Sequence, residues 1–200
     1  PAPCRETITM LNGLRTDGGA IADIQELWPL MEKLFPICRS ITGDGVRRSL
    51  DLIQAHIPLE RTEVASGIAA FDWEVPAEWN IRDAYVADTK GQRLIDFQSH
   101  NLHVVGYSVP VRGTMTFDEL RPHLYSLPEQ PDWIPYRTSY YQEHWGFCLK
   151  HSDLVNLGAG PFEVVIDSTL APGTLTYAEC TVRGTSDKEA IIYTHTCHPS

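Results

Sequence analysis

The run Thr194-His195-Thr196-Cys197-His198-Pro199-Ser200 puts two imidazoles and a thiol within four residues. Neutral imidazole nitrogens and thiolates are good ligands for zinc. The residues before them, Glu189-Ala190-Ile191-Ile192-Tyr193-Thr194, are short, β-branched and bounded by a polar turn, which predicts a buried strand. In such a strand His195 and Cys197 share one face and Thr194 and Thr196 the other. His198 falls where the strand gives out, before Pro199, which favours an extended backbone at its predecessor. A structural zinc site takes about four ligands and a catalytic one about three plus water, so this cluster is part of a site. The plainer alternative makes one histidine a satisfied core or turn residue and Cys197 a packing residue.

A second constellation is Tyr136-Arg137-Thr138-Ser139-Tyr140-Tyr141-Gln142-Glu143-His144-Trp145-Gly146. Amphipathic aromatics beside a planar guanidinium suit recognition of a peptide, a sugar or a carboxylate, so Arg137, Tyr140, Tyr141, His144 and Trp145 are candidate substrate-binding residues. The same composition would also serve as the aromatic edge of a β core. Farther upstream, Ile37–Gly45 is a turn opening a helix, either a plain helix–turn–helix joint or a place where helix N–H groups and Arg39 bind an anion. Asp72, Glu74 and Glu78 lie among aromatics and read as solvated loop carboxylates rather than a pair of glycosidase acids. There is no G-x-S-x-G elbow, Walker-type loop or G-x-G-x-x-G fingerprint, so neither serine nucleophile nor nucleotide site is expected.

The elements that must position these groups fall into two textures. Ile24, Leu27, Met31, Leu34 and Phe35 recur at helical spacing, with Pro29 predicting a kink or restart. Val46, Leu50, Ile53 and Ile57 predict a second helix, capped by Thr42 or Asp44 and stopped by Pro58. From about Gly67 to Cys180, short apolar runs alternate with turn residues, the pattern of an all-β unit. Strands are predicted over 84–88, 93–97, 102–107, 146–149, 162–168 and 174–182, with a hairpin turn at 89–92. Thr116, with Glu119 three residues on, predicts a capping box opening a short helix. The order is helix, helix, β block, then hairpin and strand. It predicts an α/β domain in two parts, 21–66 and 174–200, an inserted β-rich domain over 67–173 and a lead-in over 1–20.

Composition narrows the function classes. The hydrophobic fraction of 42% and charged fraction of 21% are ordinary for a globular protein. A net charge of −10 argues against a nucleic-acid partner, which would need a basic face. No stretch approaches the ~20 apolar residues of a membrane span, and the first residues lack a signal-peptide pattern, so a cytoplasmic setting is expected. Five scattered cysteines without a C-x-x-C fit that setting.

Several stretches together resemble a bacterial family of aminopeptidase-like proteins often encoded near polysaccharide-biosynthesis genes. They are Leu34–Gly43, Phe71-Asp72-Trp73, Trp79–Asp83, Asn101–Val105, Pro135–Gly146 and Cys197–Ser200, so the resemblance runs from about Ile24 onward. That family is related to the dizinc aminopeptidases, whose α/β domain carries the active site and accepts an inserted β domain. The resemblance implies a partial α/β peptidase-like domain with N-terminal helices, a hairpin and a central strand. It further implies zinc, one or two ions, with His195 or His198 as a ligand and the catalytic base and remaining ligands beyond Ser200. In the dizinc enzymes an Asp stands two residues after the first metal histidine. Here that position is Cys197 counted from His195, or Ser200 counted from His198, and both histidines remain candidates.

The expected function is therefore the N-terminal part of a zinc-dependent hydrolase that cleaves a peptide, amide or aminoacyl-type bond with metal-activated water, the 200-residue chain alone being inactive. The alternative is a catalytically inactive ligand-binding module acting in surface polysaccharide biosynthesis. Neither a membrane nor a nucleic acid is an expected partner, and a homo-oligomer is allowed.

Overall fold

The computed structural model describes residues 20–140, 142–186 and 188–195. The chain divides into two compact units: the continuous stretch Ala65–Thr174, and the residues before and after it.

The discontinuous unit contains helix α1 (Ala20–Leu34), helix α2 (Asp44–Gln54) and a two-stranded pairing of β1 (Glu60–Ala65) with β10 (Thr174–Glu179). Helix α1 continues through Pro29, where a kink or restart was expected, so the helix does not begin again there. One missing N–H removes a single intrahelical bond, which the rest of a 15-residue helix absorbs. Its residues Leu27, Trp28 and Met31 are half exposed, so the periodic face is not a core face among the described residues.

Helix α2 buries Val46, Ser49 and Leu50. The cap is Gly43, with φ 87°, and neither Thr42 nor Asp44 supplies a side-chain cap. Thr42 is diverted because it forms a one-residue antiparallel bridge with Leu175. Gly45 is required for a different reason: a Cβ there would lie 1.9 Å from the Cys38 carbonyl oxygen, so the first turn packs directly on the preceding backbone. Burial pushes the Cys38 thiol up to about 12 despite the neighbouring Arg39. On the outside, Arg47 reaches Asp44 at 3.3 Å and Glu63 at 3.4 Å, and Glu63 accepts from Thr176 Oγ1 at 2.8 Å.

The predicted strand over Glu189–Thr194 is not formed. Residues 188–195 have no regular structure, and Ile191 and Ile192 are 93% and 92% exposed. A strand that is apolar on both faces needs partners for its hydrogen bonds and cover for its side chains, and no described strand pairs with it. The predicted hairpin is likewise replaced, since β10 pairs with β1.

The continuous unit is built on a four-stranded antiparallel sheet ordered β5-β4-β9-β6: β4 is Glu78–Ala87, β5 Arg93–Asp96, β6 Val111–Met115 and β9 Phe162–Ala171. Along β9, Phe162, Val164, Ile166 and Ser168 are buried on one face while Glu163 is exposed and Asp167 half-exposed on the other, where Val165 is also buried, so both faces are covered at mid-strand. Strand β4 carries a bulge between Ile81 and Asp83. It moves the inward set from Trp79 to Ala84 and Val86, an odd-to-even change of phase. The outer face is polar: Arg93 bridges Asp83 at 2.7 Å and Asp96 at 2.8 Å, its guanidinium 4.1 Å from the Tyr85 ring centre, and Arg82 pairs with Asp167.

Turn chemistry follows expectation at two places. Asp88 Oδ1 accepts from the N–H groups of Lys90 and Gln92 at 2.9 and 2.8 Å, and Gly91 takes φ 80°. Thr116 and Glu119 form the reciprocal capping box of helix α3 (Phe117–Leu120). A hairpin of β2 (Ala69–Ala70) and β3 (Trp73–Glu74) opens the unit. A short parallel pair joins β7 (Leu124–Tyr125) to β8 (Phe147–Cys148), followed by helix α4 (His151–Leu154). The unit's two ends are tied together: Ser66 N–H donates to the Gly173 carbonyl at 2.9 Å, and Gly173 N–H to Ser66 Oγ at 3.0 Å.

Candidate functional site

Where a strand was expected over 102–107, residues 104–109 form instead an irregular rail that holds two stretches of the 136–146 loop. Gly106 donates its N–H to the Arg137 carbonyl at 2.9 Å and accepts from Ser139 N–H at 3.0 Å. Val109 N–H donates to the His144 carbonyl at 2.9 Å, and Val105 N–H to that of Gly146 at 3.0 Å. One-residue bridges replace a continuous ladder because the loop touches the rail at single points: Val104 with Phe147, Gly106 with Thr138 and Ser108 with His144. Behind the rail, Trp79 of β4 stacks on Tyr107 at 5.7 Å between ring centres and donates its indole N–H to the Ser108 carbonyl at 3.0 Å. Tyr107 is buried with a left-handed backbone, φ 66°.

This scaffold brings Arg137, His144 and Trp145 into one cluster with two residues that local composition did not single out, His123 and Tyr125. Tyr125 Oη and His144 Nε2 share a hydrogen bond at 2.7 Å. The Arg137 guanidinium lies 4.3 Å from the Tyr125 ring centre, a cation–π geometry. Trp145 stacks on His123 at 3.6 Å and 9°, and His123 Nδ1–H donates to the Trp145 carbonyl at 3.0 Å. His144 lies 5.8 Å from His123 between ring centres. Arg137 is exposed, and Tyr125, His123, His144 and Trp145 are half-buried. No signal near 136–146 points to His123 or Tyr125, which reach the cluster through the pairing of β7 with β8.

Tyr140 turns away from this cluster and meets the edge of Tyr107 at 4.9 Å. Tyr141 and His198 lie outside the described residues, as does Cys197. In the discontinuous unit Arg39 donates through Nη1 to the Leu34 carbonyl, which ties the helix joint together. His195 is exposed, with its ring 4.9 Å from that of Tyr193. Among the described residues no three His, Cys, Asp or Glu side chains gather as a metal would require. A single exposed imidazole is a fitting donor for zinc but only one of about four, so the described residues do not complete a zinc site.

Two histidines in this unit titrate low. Loss of water, then the neighbouring His123 and Arg137, hold His144 below the usual imidazole range. Burial does the same to His103, whose Nδ1–H donates to the Cys148 carbonyl at 2.7 Å, with His100 adding to the effect. Both are therefore less protonated folded than unfolded. Their stabilising contribution is complete above the ordinary imidazole value of about 6.5 and is lost as pH falls through the lower folded values. The urea midpoint should drop between about pH 7.5 and pH 5, and His103→Gln should flatten that slope. An unchanged slope in the variant would remove His103 from the account.

Comparison with known proteins follows this geometry. Residues 78–169, most of the continuous unit, match a domain of unknown function (DUF2172). The chain is 56% identical over 175 residues to a Clostridium acetobutylicum protein named for polysaccharide biosynthesis with an aminopeptidase-like domain; the match covers 88% of this chain and 40% of that protein. A crystal structure named for a peptidase, from the same organism, superposes with a TM-score of 0.78 at 55% identity, covering 80% of this chain and 38% of that one. This chain thus spans about two fifths of the length of each relative. N-terminal helices with a central β-sheet region, and the match to a peptidase-like fold, agree with the expected α/β class. None of the described helices is long and apolar enough to cross a membrane. With this identity and this shared fold, the chain belongs to the same bacterial aminopeptidase-like family as the clostridial protein.

Proposed function

We propose that the chain is the N-terminal part of a zinc-dependent aminopeptidase-like hydrolase acting on a peptide or amide bond. The observation that carries the reading is the 56% identity to a protein with an aminopeptidase-like domain. In this reading the unit Ala65–Thr174 is an insertion, and the residues on either side of it belong to one peptidase-like domain. Their grouping into a single discontinuous unit supports that division. His195 or His198 is one zinc ligand, and residues of the longer protein complete the set. The zinc, when bound, supplies an activated water. Arg137, His144 and Trp145 face the substrate from the inserted unit.

The test compares the full-length protein with its His195→Ala and His198→Ala variants by elemental analysis and by turnover of an aminoacyl-anilide. The full-length protein should carry near-stoichiometric zinc. The variant lacking the true ligand should lose it, together with at least about 100-fold in turnover. The 200-residue chain alone should be inactive. Full zinc and full turnover in both variants would sink the assignment. A second reading, a non-catalytic module serving polysaccharide assembly, is favoured by the relative's name and by a family match that falls on the β unit. It predicts ligand binding with no zinc and no turnover in the full-length protein.

A further inference from the structure

We infer that Arg137, with Tyr125, His123, His144 and Trp145, forms a recognition site for a small ligand that carries a carboxylate beside a C–H-rich face. The inference rests on the reading that the inserted unit faces the substrate, and it names the chemistry that this surface selects.

Arg137 differs from the other well-placed arginines. Arg47, Arg61, Arg82 and Arg93 each spend their guanidinium on an aspartate or glutamate. Among the described residues Arg137 pairs with no carboxylate; its guanidinium rests over the Tyr125 ring instead. A ring beneath a guanidinium fixes its position while consuming none of its five in-plane N–H donors, which leaves the fork that matches a carboxylate. Its own carbonyl and the N–H of Ser139 are both bonded to Gly106, so the backbone at Arg137 is held by the rail while the ring holds the fork.

The local field has the right sign. Loss of water, then His123 and Arg137, hold His144 below the usual imidazole range, so Arg137 and the two histidines share one neighbourhood. This cationic spot stands in a chain of net charge −10, where an unpaired cationic surface is not the default. The neighbouring surface is flat and aromatic. Trp145 and His123 form a two-ring slab, half open to solvent. A ligand's carboxylate on the Arg137 fork therefore brings its carbon framework against rings, an arrangement that suits a sugar acid or the C-terminal residue of a peptide.

The test uses the full-length protein with zinc removed by EDTA and follows binding by calorimetry. Two matched pairs serve as probes: D-glucuronate with D-glucose, and acetyl-dialanine with its C-terminal amide. The charged member of one pair should bind and its neutral partner should not, and the pair that responds identifies the source of the carboxylate. Arg137→Ala should weaken that binding about ten- to hundredfold, and Arg137→Lys should restore only part of it, because a point charge lacks the fork. Since Arg137 is exposed, both variants should keep the parent's unfolding midpoint. Equal binding of charged and neutral partners, full affinity in Arg137→Ala, or no binding of any probe would overturn the inference. Carboxylate binding that depends on Arg137 upholds it even where zinc and turnover are absent. Zinc and turnover without such binding overturn it and leave the hydrolase reading standing.

Discussion

Replacing Trp79 by alanine should unfold most of the protein's continuous unit under mild denaturant. Trp79 is 3% exposed, stacks on the buried Tyr107, and donates its indole N–H to the Ser108 carbonyl, which also accepts from Ser168 Oγ at 2.7 Å. Truncating a buried tryptophan costs about 3–5 kcal/mol through lost burial and the cavity left behind. Since domains are stable by only about 5–15 kcal/mol, that is a large share of the total. Trp79→Phe keeps much of the ring and removes the N–H. The Ser108 carbonyl retains its bond from Ser168, so this variant should lose closer to about 1 kcal/mol on the hydrogen bond itself. Urea unfolding followed by circular dichroism separates the two. An alanine variant within about 1 kcal/mol of the parent would show that Trp79 is not the keystone of this core. Ser108 also bridges to His144, so the loss should loosen the aromatic cluster as well as the sheet.

Alanine at Gly146 should be the most damaging small substitution in the loop. A Cβ there would sit 2.8 Å from the His123 carbonyl oxygen, 2.8 Å from Tyr125 Cε2 and 3.3 Å from Val105 Cγ2. The backbone cannot retreat easily, because Gly146 N–H donates to Ser108 Oγ and its carbonyl accepts from Val105 N–H. Overpacking of this kind costs about 1–3 kcal/mol. The ring that must move is the one beneath Arg137 and bonded to His144, so Gly146→Ala should also shift the His144 resonances in a proton–nitrogen spectrum. Two controls bracket the effect. At Gly106 the nearest atom to an added Cβ is the Thr138 hydroxyl at 3.2 Å, a side chain that can give way, and at Gly113 of β6 nothing lies within 4 Å. The expected order of loss is Gly146, then Gly106, then Gly113. A Gly146 variant as stable as the Gly113 one would contradict the crowding.

Which parts of this were readable in the chain depends on whether the deciding interaction was local. The Thr116–Glu119 capping box and the Asp88 turn are completed within a few residues, and both stand as expected. Strand β9 carries a short β-branched apolar run, Val164-Val165-Ile166, and was legible; the first half of β4 was not. The bulge at Arg82 shifts the inward positions from odd to even, which breaks the period a strand is recognised by. The apolar run 102–107 misled in the opposite sense. Val104, Val105 and Tyr107 are buried like residues of a strand, yet the segment's partners are isolated points distant in sequence. Likewise, Thr42 looked like a helix cap from its neighbours alone and is spent on a bridge to Leu175. Arg137, His144 and Trp145 stood out by composition, whereas His123 and Tyr125 join them only through a pairing more than 20 residues away in sequence. The residues of 189–195 taught the converse lesson: a β-branched run specifies a strand only where other strands meet it.

The bonds between Ser66 and Gly173 have an evolutionary consequence. Because the entry and exit of this unit are held side by side, a short splice could close it on itself with little chain entropy to lose. Under the proposed division, in which this unit is an insertion, it behaves as a cassette. It can be gained by a host domain at a single surface turn, lost again without unravelling that host, or carried to another scaffold with its aromatic cluster intact. The specificity of proteins built this way can then change by exchange of a whole module, while the scaffold's own chemistry is left untouched.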